Sequence, residues 1–168
     1  MGLVIKLCEE GFPFVLSVVS GDITDADVDE MHRRYQLLHQ RQRRFYLALE
    51  VRQVAIPGAA MRRRLADLNT DFHDRIRDHI VGIGIVVPSR VVSAAMTAIY
   101  WVSKEAAPTR FFPSAAAMAE HARKECALEQ VVLPASLDDA ARALDLAWRD
   151  GRSLIDVDLG ACRPVHAA

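Results

Sequence analysis

The sequence predicts an α/β fold: a mixed, mostly parallel sheet flanked by helices, with a C-terminal helical extension. Three observations carry that expectation. Short apolar runs alternate with amphipathic helical segments along most of the chain, the order that builds parallel sheets with right-handed crossovers. The run IVGIGIVV (80–87) is nearly all apolar, as a strand buried on both faces must be. The chain also opens on two strand-like runs separated by a Gly-Phe-Pro turn, which reads as an antiparallel hairpin.

The elements follow in order. LVIKLCEE (3–10) and FVLSVVSG (14–21) are the hairpin strands. The next segment, 23–44, is a helix with Thr24 as N-cap and Asp27 three residues on, a capping box with Asp in place of Glu. Acids crowd its first turns and bases its last, which suits the helix dipole. Val28, Met31, Tyr35 and Leu38 make its apolar stripe. FYLALEV (45–51) is a strand. After Pro57-Gly58 a helix runs to about Arg77, with Met61, Leu65, Leu68, Phe72 and Ile76 inward. A strand at 80–87, a helix at 90–103, a short strand TRFF (109–112) and a helix at 115–128 capped by Ser114 follow. In the tail, Ser136 caps a helix of about 136–150 with Leu137, Ala141, Leu144 and Trp148 on one face; SLIDVDL (153–159) reads as a further strand, and ACRPVHAA as flexible. The division expected is a domain over 1–128 and an extension over 129–168.

Bulk properties bound the function. At 168 residues the chain can bury a core without staples. Its net charge of -1 gives no reason to expect nucleic acid as a partner. Cys8, Cys126 and Cys162 are widely spaced and odd in number, which argues for a reducing compartment. The start lacks a signal-peptide core, Lys6 spoils a myristoylation motif, and no apolar run reaches the ~18 residues of a membrane helix. A cytoplasmic protein without membrane insertion is expected. The charge distribution is uneven: residues 32–64 hold Arg33, Arg34, Arg41, Arg43, Arg44, Arg52, Arg62, Arg63 and Arg64 against the single acid Glu50. Such a basic sector is either a solvated face or a docking surface for an acidic protein partner.

No catalytic set emerges. His32 and His39 are too far apart along a helix to share a metal, and neither they nor His73 and His79 gain a third ligand from the pattern. Phosphate-loop and nucleophile-elbow motifs are absent. His121 lies five residues before Cys126, and the ordinary reading of both is structural. Asp138-Asp139 suits a helix start better than acid–base work. No metal, no cofactor and no enzymatic activity are expected.

The stretches GDITDAD (21–27), GIGIVV (82–87) and RFFPSAAAMAEHA (110–122) together resemble the STAS domain, the anti-sigma-factor antagonist fold, and especially its SpoIIAA-like (STAS/SEC14-related) branch. The similarity covers about residues 1–128. It implies a docking face built from the turn after the third strand, the start of the next helix and the loop before the first helix. In regulatory members of that family the turn carries a phosphoacceptor Ser or Thr. Here it reads Ile56-Pro57-Gly58-Ala59-Ala60, with no hydroxyl, so a phosphate switch is not expected there. Gly21, Asp22 and Thr24 match the neighbouring loop; their ordinary reading is turn and capping chemistry.

The resulting expectation is a non-enzymatic regulatory module that binds a protein through Asp22, Thr24, Ile56, Pro57, Ala59, Arg62 and Arg63. One alternative is a small-molecule or lipid carrier with a pocket at Tyr100 and Trp101, within the small-residue segment VVSAAMTAIYWV (91–102). Another is a self-associating structural protein, a homodimer joined through the apolar face of the tail helix.

Overall fold

The computed structural model describes residues 4–8, 12–89 and 108–159. Five strands form one sheet in chain order: β1 (Val4–Cys8), β2 (Phe14–Gly21), β3 (Phe45–Val54), β4 (Ile80–Val86) and β5 (Thr109–Phe112). β1 is antiparallel to β2, and every later neighbour pair is parallel. The expected hairpin and mostly parallel sheet are both present. β3 runs three residues past the expected end, to Val54, because Ser20 and Gly21 still pair with Gln53 and Val54 beyond an irregularity between Val18 and Ser20.

Period-two burial divides the sheet into two faces. Val15, Val19, Phe45, Leu47, Ile83 and Ile85 point into a core shared with helices α1 (Asp25–Gln40) and α2 (Ala59–Ile76). Phe14, Leu16, Tyr46 and Ala48 point the other way, towards α3 (Ala115–Leu128) and α4 (Leu137–Arg149). On the α1/α2 side the Tyr35 and Phe72 rings meet at 4.4 Å.

The predicted helix starts are confirmed for α1 and α3. Thr24 is extended and accepts from the Asp27 N–H, while the Asp27 carboxylate accepts from the Thr24 N–H at 2.8 Å. Ser114 accepts from the Ala117 N–H at 3.2 Å. Ser136 differs. Its backbone is already helical (φ −64°, ψ −9°), so its hydroxyl is not placed to cap α4 and makes no capping bond.

The tail packs on the body of the fold. Leu137, Ala140, Ala141, Leu144 and Ala147 of α4, with Leu154, Val157 and Leu159 beyond it, are buried in the same core as Phe14, Tyr46 and Met118. Trp148 is 38% exposed and lies outside the apolar stripe expected for it; its ring lies against the Arg52 guanidinium instead. Residues 153–159 form turns, not a strand. They meet β3 beyond its last pair with β4, Glu50–Val86, and the contact is made by a side chain: the Leu154 N–H donates to the Gln53 amide oxygen at 2.9 Å. The helix expected at 90–103, with Tyr100 and Trp101, and the tail end 160–168 lie outside the described residues.

On α1, Glu30 accepts from Arg33 at 2.8 Å and Arg34 at 2.6 Å; these bonds hold its carboxyl at about 2. A folded value below the ordinary 4.5 means its contribution is present above about pH 4.5 and is lost as the pH falls towards 2. Glu30→Gln should therefore lower stability modestly above about pH 4.5, match the parent near pH 2 where the carboxyl is protonated, and so flatten the acid limb of the stability–pH curve. Urea melts from pH 2.5 to 7 would show this; parallel curves for the two proteins would contradict it.

Candidate partner-docking site

The carboxyl ends of parallel strands are where open α/β sheets leave a crevice. Here β2 and β3 end side by side, and two loops rise from them. Gly21 takes φ +92°, a conformation that glycine adopts freely, and turns the chain into Asp22–Thr24. Ala55 donates its N–H to the Gly21 carbonyl at 3.1 Å, which ties the turn 55–58 to that loop. Pro57 and Gly58 then lead into α2.

The residues expected to meet a partner occupy this one end of the sheet. Ile56 is 55% exposed at the tip of the turn. Asp22, Ala59 and Arg63 are exposed, and Pro57 and Arg62 are half-buried. Thr24 is exposed too, but its hydroxyl is engaged in the capping box. The first turn of α2 contains no acid. Arg62 Nη1 donates to the Pro57 carbonyl at 2.9 Å, folding that side chain back on the turn. Arg64 reaches across to Asp25 and Asp29 of α1, the latter at 2.6 Å.

The basic sector is not one patch. Arg33 and Arg34 bind Glu30, Arg44 binds Glu129 at 2.6 Å, and Arg64 binds the α1 acids. Arg41 and Arg43 lie over the Phe12 ring at 5.2 and 5.0 Å. Arg52 is buried. Arg62 and Arg63 are what this end of the sheet retains.

Between α1, α2 and the sheet, opening beside Ile56 and Pro57, lies an apolar cavity of about 90 Å³. Val19, Leu47, Leu49, Leu65, Leu68 and Phe72 line it, with Arg62 and Asn69 among its few polar neighbours. Sequence reading did not find this cavity. Periodicity says which helix faces turn inward, but not how far α1 and α2 stand apart.

A second feature was also missed. Glu50 and Arg52, both buried, share the sheet face of Tyr46 and Ala48. Arg52 donates to both Glu50 oxygens at 2.9 and 2.8 Å, and also meets Asp145 of α4 at 2.9 Å. Asp145 in turn accepts from the Ala115 and Ala116 N–H groups at 2.8 and 2.9 Å, so it holds the start of α3. Burial pushes the Glu50 carboxyl up against the opposing pull of Arg52. The available signal was two charges two residues apart on the apolar face of FYLALEVRQV.

The catalytic alternatives gain no support from the described residues. Burial, with the Glu125 charge beside it, pushes the Cys126 thiol up to about 11, so it is not a ready thiolate near neutral pH. His121 faces Glu125 at 3.9 Å and the Phe112 ring. The His39 and His79 rings meet at 5.6 Å, but no cluster of three or more metal-ligating side chains exists among the described residues. No described helix is long and apolar enough to cross a membrane.

Comparison with known proteins adds the fold. No family model matches the chain, and no curated protein matches it. Among solved structures it is similar to a Shewanella loihica protein of the DUF3478 family with a SpoIIAA-like fold: TM-score 0.50, 11% identity, over 72% of this chain and 94% of that one. An anti-sigma factor antagonist from Mycobacterium paratuberculosis aligns at TM-score 0.47 and 14% identity over the same shares. At 11% identity the likeness to the Shewanella loihica protein is one of fold, and it agrees with the element order and sheet described above.

Proposed function

Starting from a SpoIIAA-like fold, we propose that the chain is a non-enzymatic regulatory module that binds a protein partner through the loop 22–24, the turn 56–59 and the first turn of α2. The contacts are Asp22, Thr24, Ile56, Pro57, Ala59, Arg62 and Arg63. The observation that carries this reading is Ile56, a large apolar side chain 55% exposed at the lip of an apolar cavity, with arginines beside it. Aromatic or aliphatic anchors ringed by polar groups are the usual makeup of an interface core. The turn offers no hydroxyl, so binding here is not switched by a phosphate on the turn itself. For this cavity a lipid carrier is the weaker reading, since sites for free small molecules run from about 300 Å³ upwards; the carrier pocket expected at Tyr100 and Trp101 lies outside the described residues.

The test is capture. The full chain and its Arg62→Glu/Arg63→Glu variant would be used as cross-linkable baits in lysate from the source cells and compared by quantitative mass spectrometry. Both side chains are partly or fully solvated, so the variant should melt within a few degrees of the parent. The expected result is a specific protein enriched by the parent and lost roughly tenfold or more by the variant. Equal capture by both baits would remove this surface from consideration.

A further inference from the structure

The cavity says what kind of partner fits. Resting on the docking reading above, we infer that it receives one leucine-, isoleucine- or methionine-sized side chain of the partner, and that an acidic residue beside this anchor meets Arg62 and Arg63.

Size decides the first half. About 90 Å³ is several times the ~10–15 Å³ that a water needs, yet the walls offer water few polar partners. It is smaller than the ~150 Å³ apolar cavity that takes up benzene, so a ring enters poorly and a branched aliphatic group enters well. The opening lies between the loop at Ile23 and the turn at Ile56, on the docking end and not at a remote part of the fold. Burying an apolar anchor in such a hole is how a small surface yields measurable affinity, and the exposed Ile56 closes over it as a rim.

Charge decides the second half and gives the partner a direction. Arg62 lines the cavity, and Arg63 follows it at a helix start whose first turn has no acid, whereas Asp22 stands in the loop next to the lining residue Ile23. A helix N-terminus favours an anion beside it, and here no side chain of its own first turn supplies one. Arg64 is committed to Asp25 and Asp29. A segment lying across the mouth therefore places its carboxylate over α2 and not over α1.

A phage-displayed random-peptide library panned on the immobilised full chain tests this without knowledge of the natural partner. Enriched peptides would be synthesised with a fluorescent label and titrated against the parent, Ala55→Phe (which fills the mouth) and Ile56→Asp (which spoils the rim). The expected outcome is a shared Leu, Ile or Met next to Asp or Glu. Ala55→Phe, or alanine at the peptide's anchor, should each weaken binding roughly tenfold or more. Methyl-labelled parent protein gives a readout free of any variant: Leu47 and Leu68 should shift on peptide addition. If Ile56→Asp weakens binding while Ala55→Phe and the alanine peptide do not, the anchor falls and the docking surface stands. If neither protein variant matters, both fall. No enrichment over the bare support, or a small apolar acid found tightly bound in the cavity of the purified chain, overturns the anchor.

Discussion

Arg52→Ala should cost the fold about 3–5 kcal/mol, the range for removing one partner of a buried ion pair. The side chain is 2% exposed and serves two carboxylates at once, Glu50 beneath it and Asp145 on α4. Its loss leaves Glu50, which is fully buried, with a charge that nothing nearby offsets. Asp145 keeps the N–H groups of Ala115 and Ala116 and is penalised less. The pH dependence follows from the sign. Burial already holds the Glu50 carboxyl above its ordinary value, and without Arg52 it rises further. A group whose folded value is raised stabilises at low pH and loses that contribution as the pH climbs through the folded value. The deficit of the variant is therefore largest at high pH and narrows as the pH falls. Urea melts across that range measure it. Glu50→Leu/Arg52→Leu should recover most of the loss, since an apolar pair of similar bulk replaces a desolvated ion pair at little cost. A deficit below about 1 kcal/mol for Arg52→Ala would mean that water reaches the site and the pair acts like a surface one.

Gly84→Ala should destabilise by about 1–3 kcal/mol, although it adds a single carbon to a strand. A Cβ on Gly84 would lie 2.7 Å from Met118 Cγ and 2.8 Å from the Tyr46 hydroxyl oxygen. Met118 can swing away. The Tyr46 ring cannot do so easily: it stacks on Phe14 at 6.0 Å and is also close to Gly82. Tyr46→Phe removes the oxygen and should recover part of the cost, so the two substitutions should couple in a double-mutant cycle. Additive effects would show that the sheet shifts to make room and the ring does not resist. Thermal melts of the four proteins are sufficient.

Much of the fold was legible in the sequence because its signals are local. Thr24 and Asp27 form a capping box within one turn, and 80–87 is apolar throughout because a central strand has no wet face. Ala115–Leu128 starts where Ser114 can reach back to Ala117. The failures are non-local. Residues 153–159 read as a strand, but the segment reaches β3 through the Gln53 side chain and not through a backbone ladder. Ser136 has the chemistry of a cap without the backbone to use it. Arg52 looked like one more solvated arginine because its second partner, Asp145, arrives from another helix. The proposed contacts were named together from sequence through the family resemblance, and the fold sets them at one end of the sheet. The cavity they surround could not, because it depends on how two helices lie on a sheet.

The strand order carries a consequence for synthesis. Because spatial order equals chain order, each strand emerging from the ribosome finds its neighbour already made, and no pairing waits for a distant partner. The face that carries Glu50 and Arg52 is the exception. Until residues 137–149 emerge, Arg52 holds Glu50 alone, and the first N–H groups of α3 lack the carboxylate that completes them. Helix α4 thus closes this face, and a chain released before it carries an open charged face that the folded chain does not show.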